Sequence, residues 1–402
     1  MIQSLVVILI PLISKIQELN TRWGVQYDIF FFWKDKVLWF FSFLLLFFLK
    51  KNSKLIIAYL WFLFLSTLFS NDLALTIWGF PNYSEGAVTL FCYCVLFLSA
   101  YNYTEEGFLN AAKVSIICLF LFCIIHLLYS NFLLFPPLLY LSGLNEYRES
   151  LSAIRLPLYV SLANPNHLGL YCALLFPIFV RTRFKIITSL ILIMAIGSMS
   201  RSSWLAIALT TPPSFWKKYK IPISAGVIFF FPFIYDKILA GVSSSGRFFI
   251  WKNSINLIPV FVGKGAATFI SYFPQQLTSQ AWSTPITVDR PHNMYLQIAH
   301  ATGALSLIPL SIIIYKIVIT KNPLKWGVIS FLICGFFTDS MVGVTPIFVI
   351  LCGLIYFGNR EGSWVLNCEL TRRASKTYRK ILCLSYVKKG RVLFGNISRK
   401  LS

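Results

Sequence analysis

The side chains best suited to chemistry are Arg201, Arg247 and His292. A guanidinium keeps its proton at working pH and can grip phosphate oxygens through two parallel N–H bonds. Two of them can hold a pyrophosphate leaving group, and a neutral imidazole beside that anion can take the proton of an acceptor hydroxyl. His292 lies in Asp289-Arg290-Pro291-His292-Asn293, where a long polar segment gives way to an apolar run. Proline is tolerated in the first turn of a helix, whose N–H groups lack partners. The sequence therefore places His292 and Asn293 in a first helical turn, with Asp289 and Arg290 in support. The positive end of that helix favours a neutral imidazole and attracts anions. The competing reading makes Asp289 and Asn293 helix caps and His292 a bystander. Taken singly, Arg201 reads as an interfacial arginine and Arg247 as a solvated loop charge. His300, eight residues from His292, misses the i, i+4 spacing of a helical metal pair and reads as a buried or interfacial polar residue. No Asp-x-Asp pair or His-Glu-x-x-His run occurs, so no metal or other cofactor is expected.

These residues sit in a strongly apolar chain. Of its 402 residues 57% are hydrophobic and 12% charged, against about a quarter charged in a soluble domain. Apolar runs recur along the whole length, which predicts an all-α, polytopic transmembrane bundle of about eleven or twelve spans of about 20 residues each. The formal net charge of +22 does not point to nucleic acid, because the basic residues fall between apolar runs and in the tail. The nine cysteines lie mostly inside apolar runs and show no paired ligand spacing. Residues 1–358 read as one membrane-embedded domain. Residues 359–402 read as a basic cytoplasmic tail drawn to anionic lipids.

Lys and Arg in short loops set the orientation. Lys50-Lys51-Asn52-Ser53-Lys54, Arg181-Thr182-Arg183-Phe184-Lys185, Lys217-Lys218-Tyr219-Lys220 and the Lys316–Lys325 stretch are basic and read as cytoplasmic. Asn71–Ala87 and Thr338–Val344 hold no Lys or Arg and read as external, as does the long segment 236–290. By this alternation Arg201, Arg247 and His292 share the external face. One loop resists: Lys15, Arg22, Lys34 and Lys36 come out external against the rule, and whether the first apolar segment spans stays open.

The chain resembles the bacterial O-antigen ligase and O-antigen polymerase superfamily over most of its length after about residue 75. His292-Asn293 followed after nine residues by Gly303 fits the ligase-type histidine motif. Arg201-Ser202-Ser203-Trp204-Leu205 fits the Arg-x-x-x-Leu motif that precedes it. Gly246-Arg247, Trp251 and Gly263-x-Gly265 resemble the loop arginine region, and Asn164-Pro165-Asn166-His167-Leu168 the segment opening a middle span. Ser306 departs from the ligase preference, and the first segments are not recognisable. The resemblance implies a multi-pass inner-membrane glycosyltransferase with an external active site. Its donor would be a glycan on undecaprenyl pyrophosphate and its acceptor a lipid or glycan, such as the lipid A–core. Arg201 and Arg247 would contact the pyrophosphate, and His292 would activate the acceptor without a metal. The alternatives are a repeat-unit polymerase using the same donor, or a transporter of lipid-linked sugars. A transporter would carry ionisable residues mid-span; here the candidates cluster at one face and mid-span charge is scarce, with His126 the clearest case.

Overall fold

The computed structural model describes residues 1–13, 32–80, 85–132, 158, 160–162, 164–217, 242–278 and 287–358. The basic tail, Lys15 and Arg22, residues 236–241 and 279–286 of the long loop, and the His126 side chain lie outside the described residues. Residues Met1–Phe357 form one compact unit. Among the described residues every regular element is helical. They are α1 (Ile2–Leu12), α2 (Phe32–Leu46), α3 (Lys54–Leu68), α4 (Leu73–Trp78), α5 (Ala87–Ser99), α6 (Glu105–Phe132) and α7 (Pro165–Phe179). Then follow α8 (Lys185–Gly197), α9 (Arg201–Thr210), α10 (Val242–Ile255), α11 (Met294–Thr302), α12 (Leu307–Val318), α13 (Lys325–Gly335) and α14 (Thr345–Gly358), with single helical turns between.

Most of these helices are shorter than the expected spans. Among the described residues only Glu105–Ile125 is long and apolar enough to cross a membrane by itself. Seven further apolar helices have 10–17 residues. The buried core is centred on α7, whose residues Leu168 to Phe179 are all buried and which packs against α8, α9 and α13. Aromatic and aliphatic side chains that would be costly in water stay exposed on α2 and α3, including Phe40, Phe43, Trp61 and Phe64, as suits a lipid-facing surface.

Loops far apart in the chain meet at two places. On the basic side, Arg181 donates to the Thr210 carbonyl at 2.7 Å and lies 4.8 Å from the Trp326 ring centroid. Asn322 there donates to Glu105 at 2.6 Å, and Lys51 lies 5.1 Å from the Tyr101 ring centroid. On the other side, Glu85, Arg290 and Ser340 converge, and Ser200 donates to Asn166 at 3.2 Å. The anomalous N-terminal loop has a physical explanation. Lys34 is no loop charge, since it is buried and donates to the carbonyls of Ser161, at 2.8 Å, and Ile13. Lys36 pairs with Asp35 at 2.8 Å. α1 runs between the two polar layers: Gln3 donates to the Ser99 carbonyl at 3.1 Å, and the Pro11 carbonyl accepts from Ser161 at 2.6 Å. Its 11 residues cover about 16 Å at a helical rise.

The run from His292 to Ile314, read from sequence as one span, is broken. α11 and α12 meet at a bend of 117°. Gly303 makes the bend with φ +91° and ψ 147°, a region essentially closed to other residues. The break frees backbone groups, which must be paired elsewhere. Residues 259–265 of the long loop pair them. The N–H groups of Ala304 and Leu305 donate to Pro259 and Val260, and those of Lys264 and Gly265 donate to His300 and Ala301. A side chain at Gly303 would reach 2.4 Å from the Phe261 carbonyl oxygen, and one at Gly263 would reach 2.1 Å from that of Ala301. Gly263 thus serves backbone-to-backbone packing, and Gly265, with φ +104°, lies against the side chains of Thr76 and Ser70. His300 is buried beside that loop, its ring 5.2 Å from the Phe269 ring and 5.7 Å from Tyr272. Gly303→Ala should cost about 1–3 kcal/mol from backbone strain alone. A clear fall in melting temperature of detergent-solubilised protein is expected, and an unchanged one would contradict the bend.

Candidate active site

The residues around His292 are held by a short antiparallel run of contacts. Segment 290–293 lies along segment 336–340. Arg290 Nη1 donates to the Ser340 carbonyl at 2.7 Å, His292 Nδ1 lies 2.8 Å from Asp339 Oδ2, and Asn293 Nδ2 donates to the Phe336 carbonyl at 3.1 Å. Tyr295 Oη adds a bond to the Leu332 carbonyl at 2.8 Å. Two chain segments about fifty residues apart are therefore fixed in register at the point where chemistry is expected.

Asn293, not Asp289, caps the helix. Its Oδ1 accepts from the N–H groups of Tyr295 and Leu296 at 3.0 and 3.1 Å, which satisfies two of the unpaired donors of the first turn. Pro291 and His292 therefore stand before the helix and not in its first turn as the sequence suggests. His292 has φ +50°, a left-handed conformation that histidine and asparagine enter more readily than most residues and that recurs at functional sites. The ring faces Asp339, and the side chain is 44% exposed.

This geometry changes the electrostatic expectation. Burial opposes the imidazolium, but the Asp339 charge and hydrogen bond, with Asp289 further off, more than offset it and raise the His292 pKa above 6.5. Asp339 is the chief attraction behind that rise. Burial likewise pushes the Asp339 pKa up, yet His292, Arg290 and His167 together hold it below the usual carboxylate value. An ionised Asp339 can only accept, so Nδ1 carries the proton and Nε2 keeps its lone pair. Asp339 Oδ1 is buried without a partner among the described residues.

Arg201 and Arg247 come to this cluster from separate elements. Arg201 opens α9 and is exposed. Its helix end is seated by α7: the Asn164 side chain caps α7, Asn166 accepts from Ser200, and Gly169 leaves room for Ser200 and Ser203. Ser202, next to Arg201, accepts a long contact from Cys334 of α13. Arg247 lies on α10 and is half-buried. Trp251, one turn further on, packs against Phe337, two residues before Asp339, with ring centroids 6.1 Å apart. Burial lowers the Arg247 pKa, with Asp339 raising it and Arg201 lowering it in turn. Arg247 is thus within electrostatic reach of Arg201, Asp339 and His292. Among the described residues no three His, Cys, Asp or Glu side chains gather as a metal ion would need.

Two acidic groups at this site escape a reading of the sequence. Asp339 is the only charged residue in Thr338–Val344, and Glu85 is one of two in Asn71–Ala87. Their isolation in loops without Lys or Arg is the one signal that could single them out. Arg290 appears in sequence as a supporting cation. In the fold it is buried, 3.2 Å from Glu85.

Comparison with known proteins bears on this constellation directly. Residues 186–311 match the O-antigen ligase family. The matched stretch runs from α8 into α12 and takes in Arg201, Arg247, His292 and the Gly303 bend. Asp339 and Glu85 lie outside it. No curated protein and no solved structure matches the chain. The O-antigen ligase family builds cell-envelope polysaccharide through ligase- or polymerase-type glycosyl transfer, on lipid-linked glycans, with its proteins integral to the inner membrane.

Proposed function

We propose that this chain transfers a glycan from undecaprenyl pyrophosphate to a sugar hydroxyl of a lipid A–core acceptor, at the outer face of the inner membrane and without a metal. The observation that carries the reading is the His292–Asp339 pair, 2.8 Å apart and open to solvent on the histidine side. Nε2 of neutral His292 takes the proton of the acceptor hydroxyl. The hydroxyl oxygen bonds to the anomeric carbon of the donor sugar, and the bond from that carbon to the pyrophosphate oxygen breaks. The electron pair leaves on the lipid pyrophosphate, where Arg201 and Arg247 balance the new charge. The proton rests on an imidazolium that Asp339 stabilises. Asp289, Arg290 and Asn293 shape the turn that presents the ring. The candidates stand at a helix start, on a loop helix and just before a helix, not in the middle of an apolar run, which favours group transfer over transport.

Arg201→Lys and Arg247→Lys test the arginine role with charge preserved. An ammonium cannot reproduce the planar fork, and losing one donor aimed at developing negative charge costs about 10²–10³ in kcat. Purified variants, assayed in EDTA with an undecaprenyl-pyrophosphate glycan and acceptor, should each lose about that much. Wild-type protein should be active in the same buffer. Lysine variants with near-normal rates, or strict dependence on added Mg²⁺ or Mn²⁺, would overturn the two-arginine account.

A further inference from the structure

Glu85 precedes α5 and is 4% exposed, yet no part of the proposed chemistry uses it. Its carboxylate is the meeting point of four elements. Oε1 accepts from Tyr93 Oη at 2.7 Å. Oε2 accepts from Ser340 Oγ at 2.9 Å, Arg290 Nη1 at 3.2 Å and, more weakly, Gln297 Nε2 at 3.4 Å. Gln297 returns the contact through its own oxygen, which accepts from the Ser340 N–H at 3.0 Å. Arg290 is two residues before His292, and Ser340 is one residue after Asp339. The same carboxylate oxygen therefore grips both strands of the contact run that presents the catalytic pair.

We infer that Glu85 is a positioning residue for transfer, fixing the register of His292 against Asp339 by holding Arg290 and Ser340 together. A buried carboxylate with several donors is demanding, because each donor left unpaired keeps its full desolvation cost. Such a site locks one arrangement of segments 290–293 and 336–340 and disfavours a slipped one. Glu85 touches no reacting atom. It acts through the distance and angle of the His292–Asp339 bond, and through compensation of the Arg290 charge two residues from the imidazole.

Glu85→Gln keeps the shape and removes the negative charge. The groups facing His292 are Asp339, Asp289, Arg247 and His167. With one of the carboxylates facing Arg290 neutralised and the bond to Asp339 loosened, both changes disfavour the imidazolium. The acid limb of the rate profile should therefore move to lower pH. A misplacement of about 1 Å can cost about 10²-fold in rate, so kcat should fall about tenfold to hundredfold. Donor KM should change little, because the lost contact is not one with bound donor. A role in stability alone would lower the amount of protein and leave both the kcat of the remainder and the limb in place. Ser340→Ala, which removes one donor, should move kcat and the limb in the same directions by less, and it decides the matter if Glu85→Gln does not insert.

The inference rests on His292 as the base, so His292→Asn is assayed alongside. Activity in that variant would mean the base assignment has failed. An inactive His292→Asn beside Glu85→Gln and Ser340→Ala with wild-type kcat and limb would overturn the role of Glu85 alone.

Discussion

His292→Ala should abolish glycan transfer, with a loss of about 10²–10⁴ in rate, the usual worth of a general base. The protein should still insert and fold. Segment 290–293 stays anchored through Arg290 and Asn293, whose bonds to Ser340 and Phe336 do not involve the imidazole. The side chain is 44% exposed and contributes little packing. One structural cost must be separated from the chemical one. Alanine is disfavoured at φ +50°, by about 1–2 kcal/mol for a left-handed residue. Asparagine tolerates that conformation and offers no base, so His292→Asn should be equally inactive at wild-type abundance. Equal transfer by both variants and wild type, at matched protein levels, would leave His292 as a bystander before a helix cap. Asp289 would then be the next carboxylate to examine.

Asp339→Asn should cost nearly as much, about 10²–10⁴-fold, although the residue never meets substrate. An asparagine can present its N–H₂ group to Nδ1, which shifts the imidazole proton to Nε2 and removes the lone pair that the acceptor hydroxyl needs. The equivalent change behind the histidine of a serine protease triad costs about 10⁴. The sign of the accompanying pH effect is fixed. Asp339 is the chief attraction that raises the His292 pKa against burial. Without it the imidazole should lose its proton at lower pH, and the acid limb of the residual rate should move down the scale. A limb that moves up, or does not move, would mean that Asp339 is a structural acid only.

How much of this was legible in the sequence follows the range of the interactions. Arg201, Arg247 and His292 stand beside their own local markers, a Ser-Arg-Ser-Ser turn, a Gly-Arg step with Trp251 downstream, and a Pro-His-Asn helix start. Residue type and spacing are enough to single these out as candidates. Asp339 and Glu85 owe their significance to partners 47 and 205 residues away, and no local pattern announces such pairs. Lys34 misled the loop-charge count for the same reason, since its burial against Ser161 depends on a segment 127 residues on. The bend at Gly303 was hidden because an apolar run broken by one glycine reads as a continuous span. The dihedral angle and the neighbouring Phe261 backbone, not composition, set the break. The raised pKa of His292 differs from the sequence expectation on one point of geometry. The imidazole sits one residue outside the cap and faces a carboxylate that holds the proton on it.

The most direct test of the account is the pH dependence of kcat/KM for purified wild-type protein in EDTA, with lipid-linked donor and sugar acceptor, from about pH 5 to 8.5. Proton abstraction by neutral His292 predicts that log kcat/KM rises with unit slope through a midpoint above 6.5, the ordinary imidazole value, and then levels off. The same limb should be absent from any residual activity of His292→Asn. A flat profile across this range in the wild type, or a limb that survives replacement of His292, would contradict the claim that this histidine is the base.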